Sequence, residues 1–114
     1  MDITLVLIAV RIGSVPESMR CYWVYILAGR KNGTVYTGVT NDLIRRLHEH
    51  QSGAGSRFTA RYSVQRLVWY EPHGTAEEAI AREKAIKSWP RAWKVELIEA
   101  TNPEWYDLGR FLNA

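Results

Sequence analysis

The chain has 114 residues, 46% of them apolar, 11% aromatic and 24% charged, which is the makeup of one globular domain and leaves no room for a second. Its single cysteine, Cys21, excludes an intramolecular disulfide, argues against a Cys-based zinc site and points to a reducing compartment. The longest apolar run, Ile3 to Val10, is far shorter than the roughly 20 residues that span a membrane, and Asp2 stands where a secretory signal carries positive charge.

The net charge of +3 is unevenly spread. Residues 20–70 hold eight Lys/Arg against Asp42 and Glu49, whereas residues 71–114 hold six against eight acids. A basic first half suits a polyanionic partner, and it also arises in ordinary soluble domains.

In chain order, residues 1–19 form an extension unlike the rest. Their apolar run ends in Gly13, Ser14 and Pro16, and Met19 then precedes a strongly patterned segment. Met19 as the true initiator is the favoured reading; an extra, dispensable strand is the other. From Tyr22, the run Tyr-Trp-Val-Tyr-Ile-Leu-Ala is apolar or aromatic on both alternating faces and predicts a doubly covered central strand. Asn32-Gly33 signals a two-residue hairpin, and Thr34 to Gly38 returns as a second strand. With an even loop count, position 36 opposes 27 or 29, so Tyr25 and Tyr36 share one face of the sheet.

Thr40 or Asn41 caps a predicted helix running to about Gln51, on which Leu43, Arg46, Leu47 and His50 fall in one stripe. Gln65 to Glu71 reads as a third strand. Thr75 and Glu78 form a capping box opening a helix through about Ser88, with Ala76, Ala79, Ile80 and Ile86 clustered around Glu83. Pro90 breaks that helix, Ala92 to Ala100 supplies another turn or two, and residues 109–114 are read as a tail. The fold class is α/β (α+β): a small three-stranded mixed or antiparallel sheet flanked by helices, with the domain proper spanning 20–108.

Arg46, His50 and Glu83 interrupt inward-facing stripes, and a buried charge is costly unless it is paired or holds a metal. One reading is an Arg46–Glu83 ion pair knitting two helices together. The other is a site between helices and sheet, with Tyr25 and Tyr36 in it. A guanidinium suits phosphate, a carboxylate suits a divalent cation and phenols suit proton transfer.

These residues resemble the GIY-YIG nuclease superfamily. Trp23-Val24-Tyr25 stands at its first tripeptide and Tyr36-Thr37-Gly38 at its second. Arg46 follows Gly38 by eight residues, His50 lies one helical turn on, and Glu83 matches the later metal-binding glutamate. The likeness is greatest to small stand-alone members and covers about Arg20 to Leu108. It departs at Trp23, Val24 and Thr37, which replace the signature glycine and isoleucines, and at Val39, where some members carry a lysine.

The resemblance implies a cytoplasmic Mg²⁺-dependent endonuclease acting on DNA, possible work in repair or recombination, and Mn²⁺ as an alternative ion. Glu83 would hold the metal and Arg46 the scissile phosphate. Tyr36 would take the proton of the attacking water, Tyr25 would orient that water, and His50 would assist proton transfer or position the phosphate. Asn102 resembles a family asparagine near the site and, by that resemblance, is a candidate substrate contact. The loop residues Arg57, Phe58 and Arg61 combine charge with an aromatic ring and are candidate substrate contacts, with a packed connection as the plain alternative. A nucleic-acid-binding module without turnover is the rival function. His73 reads as a turn residue, His48 as exposed, and Trp89, Trp93 and Trp105 as core rather than base-stacking residues.

Overall fold

The computed structural model describes residues 21–52 and 64–112. Three strands, β1 (Tyr22–Ala28), β2 (Val35–Thr40) and β3 (Arg66–His73), form an antiparallel sheet in the order β2–β1–β3. β1 is central because its alternating side chains are apolar on both sides and both sides are covered. Pro72 is tolerated in β3 because that strand is an edge and one row of its backbone donors needs no partner.

The β1–β2 connection is six residues, Gly29 to Thr34, rather than two. Asn32 takes the left-handed conformation (φ 59°) within it. Six is also even, so the parity argument holds: Leu27 pairs with Tyr36 and Tyr25 with Gly38. On the other side, the β1–β3 ladder slips between Ile26 and Leu27, which pair with Trp69 and Leu67 and leave Val68 as the extra residue of a bulge.

Among the described residues the helices are α1 (Leu43–Gln51), α2 (Ala76–Ser88), α3 (Arg91–Thr101) and α4 (Gly109–Leu112). The cap of α1 is Asp42, one or two residues later than the sequence suggests: its Oδ1 accepts from Arg45 N at 3.2 Å, while Thr40 Oγ1 accepts from Asp42 N. Thr75 caps α2 as its sequence predicts, accepting from Glu78 N at 3.2 Å. Pro90, with no N–H to give, separates α2 from α3.

The sheet divides the core into two layers. Trp23, Tyr25 and Leu27 face Leu43 and Leu47 of α1 and Leu112 of α4. Val24, Ile26, Ala28 and Val68 face Ala79 and Ile86 of α2, Ile98 of α3, and Trp105. Residues 109–112 are therefore not a tail. Leu112 is 2% exposed, and Leu108 N donates to Leu67 O, which ties this segment to β3. The aromatic expectation also divides: Trp105 is buried and Trp89 half-buried, but Trp93 is 55% exposed and is not core. His48 is exposed, and His73 closes β3 with its ring on Glu71. Among the described residues, no helix is long and apolar enough to cross a membrane.

Candidate active site

The pairing of β1 with β2 sets Tyr25 and Tyr36 on the α1 side of the sheet, their ring centroids 6.4 Å apart. His50, from the last turn of α1, closes a three-ring cluster at 5.9 Å from Tyr25 and 5.3 Å from Tyr36. Arg46 lies one turn earlier on the same helix, as i and i+4 side chains must. Gly38 stands directly opposite Tyr25, and a Cβ there would come within 2.4 Å of the phenol oxygen and 2.5 Å of Cζ. The phenol lies across the backbone of β2, so only glycine fits beneath it.

Arg46 Nε donates to the Tyr25 hydroxyl at 3.4 Å, since a guanidinium has no acceptor to offer. The same hydroxyl lies 3.0 Å from His50 Nε2, and the imidazole tautomer sets which of the two donates. Burial, helped by the Arg46 charge, lowers the His50 pKa to about 4, so this ring, 1% exposed, is neutral at pH 7. Burial likewise pushes Tyr25 up to about 12, against the lowering influence of Arg46, so Tyr25 keeps its proton. Arg46 is held firmly charged by its hydrogen bonds to Tyr25 first, then Glu49 and Tyr36. The Glu49 contact is the short one, Nη1 to Oε2 at 2.7 Å.

Glu83 sits elsewhere. It shares the buried stripe of α2 with Ala79 and Ile86, and α2 covers the opposite face of β1 and β2. The Arg46–Glu83 pair left open by the sequence does not form, because the two helices lie on opposite sides of the sheet: Arg46 pairs with Glu49 and Glu83 with Lys87.

Among the described residues, no group of three or more His, Cys, Asp or Glu side chains could hold a metal ion. A lone carboxylate still fits Mg²⁺, which keeps several waters and is bound through one or two carboxylates plus substrate phosphates. Glu83 is 7% exposed and already carries a cation, the ammonium of a mostly exposed Lys87 that can swing into solvent.

Asn102 is a correction. Rather than facing substrate, it is 3% exposed and clasps the backbone: Nδ2 donates to Val68 O and Tyr106 O, and Oδ1 accepts from Tyr106 N. Arg57, Phe58 and Arg61 lie outside the described residues, as does the expectation for residues 1–19. Sequence reasoning passed over Glu49, although its place three residues after Arg46 on one helix was signal enough.

Residues 21–96 match the sequence profile of the GIY-YIG catalytic domain. A UPF0213 protein from Haloquadratum walsbyi is 37% identical over 68% of this chain and 86% of its own length. Another, from Aeromonas hydrophila, is 34% identical over 73% of this chain, which spans 60% of that protein. Among solved structures, the solution NMR structure of a UPF0213 protein from Bacillus halodurans is 35% identical, with a TM-score of 0.47 over 72% of this chain and 86% of that one.

Proposed function

Because the chain belongs to the GIY-YIG catalytic-domain family, we propose that it is an endonuclease that hydrolyses phosphodiester bonds in DNA, with Mg²⁺ as its ion. The observation that carries this reading is the run of hydrogen bonds that links Arg46, Tyr25 and a neutral His50, with Tyr36 beside it. A purely structural core has no use for a charged guanidinium, two phenols and an imidazole gathered on one sheet face, since each costs desolvation that apolar side chains avoid.

In this reading Arg46 binds the scissile phosphate, and its planar fork meets the oxygens that gain charge in the transition state. Tyr25 keeps its proton and therefore orients rather than abstracts. Its hydroxyl is locked between Arg46 and His50, which holds the guanidinium in place. Tyr36, the second phenol of the cluster, is the group left to accept the proton of the attacking water, onto a phenolate oxygen that has first released its own proton to solvent. His50, neutral and buried, is the hydrogen-bond partner that holds the Tyr25 hydroxyl in place. Glu83 is the residue that would hold Mg²⁺, whose charge, when bound, offsets that of the leaving oxygen.

The test is single-turnover cleavage beside equilibrium binding for wild type, Arg46→Lys and Arg46→Ala, on duplex, branched and single-stranded DNA with Mg²⁺. Loss of a preorganised phosphate donor typically costs about 10²–10³ in rate. Seven other Lys/Arg in residues 20–70 still attract a polyanion, so affinity falls little. Lysine keeps the charge without the fork and recovers little activity. Equal losses in rate and affinity would show that Arg46 only holds substrate, and binding without any cleavage would favour the non-catalytic module.

A further inference from the structure

Arg46 is held by a group that the proposed mechanism does not use. Glu49 lies three residues after it on α1, and its Oε2 accepts from Arg46 Nη1 at 2.7 Å, much shorter than the 3.4 Å from Nε to Tyr25. Its other oxygen, Oε1, faces Arg45 Nε at 3.6 Å. The Arg45 side chain is 65% exposed, so that contact is a solvated one of little weight, whereas the Arg46 side chain is 28% exposed. Tyr25 and Tyr36 also hydrogen-bond the guanidinium, His50 packs on both of their rings, and among the described residues Glu49 is the acid that touches it.

Resting on the nuclease reading above, we propose that Glu49 is a positioning residue that fixes the plane of the Arg46 guanidinium, and that it is also the carboxylate with which an incoming substrate phosphate competes. The first half follows from geometry. Bonded at Nε by Tyr25 and at Nη1 by Glu49, with Tyr36 as a further partner, the guanidinium is pinned at its corners; the Glu49 bond is shorter than the Tyr25 bond, and it sets the plane in which the remaining N–H groups point. The second half follows from charge. A phosphodiester reaching Arg46 must approach an anion already bonded to it, and that repulsion is greater at a half-buried site than in open water. Glu49 therefore weakens ground-state binding while it prepares the transition state, an arrangement that favours turnover over affinity.

The two effects have opposite signs, which an ordinary helix-stabilising pair does not produce. A fluorescein-labelled oligonucleotide is bound by the full chain in EDTA, and its single-turnover cleavage is followed with Mg²⁺, for wild type, Glu49→Ala and Glu49→Gln. Glu49→Ala is expected to bind about threefold to tenfold tighter. It is also expected to cleave roughly 10- to 100-fold more slowly, because a misplaced catalytic group costs that much. Glu49→Gln keeps an acceptor oxygen for Arg46 Nη1 without the charge, so it binds as tightly as the alanine variant and recovers most of the rate. Unchanged or weaker binding by both variants, or a glutamine variant as slow as alanine, overturns the proposal. If wild type cleaves no nucleic acid, the nuclease reading fails by itself and the binding arm decides: tighter binding by both variants keeps Glu49 as the competitor at Arg46, and unchanged binding removes it.

Discussion

Gly38→Ala places one methyl group against the phenol of Tyr25, and two effects of opposite sign compete. Gly38 shows no left-handed backbone angle within β2, so alanine suits the strand and restricts the unfolded chain, a gain of about 0.4–1 kcal/mol. Against this, the new Cβ lies 2.4 Å from Tyr25 Oη, 2.5 Å from Cζ and 3.0 Å from Cε1, all below contact distance. The ring has nowhere to go: it is 1% exposed and its hydroxyl is fixed between Arg46 and His50. Forcing extra atoms into a packed core costs about 1–3 kcal/mol, and losing a hydrogen bond of the buried hydroxyl adds about 1 kcal/mol. The clash wins by about 2 kcal/mol, which for a domain of this size lowers Tm by about 10 °C. Thermal melts and a double-mutant cycle with Tyr25→Ala check the reasoning, because removing the ring should make the added methyl nearly harmless. An unchanged Tm for Gly38→Ala, or strict additivity in the cycle, would refute it.

Three further outcomes follow from the same geometry. The folded-state pKa of His50, about 4, lies below its unfolded value of 6.5, so the unfolded chain takes up the proton first. Stability is thus fully present above pH 6.5 and falls by about 3 kcal/mol as pH drops to 4; urea midpoints across that window should fall in wild type and change far less in His50→Leu. Asn102→Ala strands Val68 O and both Tyr106 backbone groups and should cost about 2–3 kcal/mol by chemical denaturation; a variant as stable as wild type would return Asn102 to the list of substrate contacts. Glu83→Gln should abolish Mg²⁺-dependent cleavage while leaving Tm within a few degrees, since its partner Lys87 is largely solvated; full activity would remove Glu83 from the metal site.

Much of this protein is written locally in its sequence. The unbroken apolar run Tyr22–Ala28 marks a central strand, loop parity puts Tyr25 and Tyr36 on one face, the Thr75–Glu78 box starts α2, and one helical turn carries Arg46 to His50. Each of these depends on neighbours a few residues apart, where backbone geometry allows little choice. An amphipathic stripe, however, reveals that a face is buried and not which layer buries it. So the sequence could not tell that α1 and α2 cover opposite faces of the sheet, which rules out an Arg46–Glu83 pair. Nor could it tell that Asn102 closes on a backbone carbonyl 34 residues away, or that Leu112 completes a core begun by Leu43 and Leu47. The hydrogen bonds of the Tyr25 cluster also belong to the tertiary structure. They form only when strand and helix bring a guanidinium and a buried imidazole to one hydroxyl.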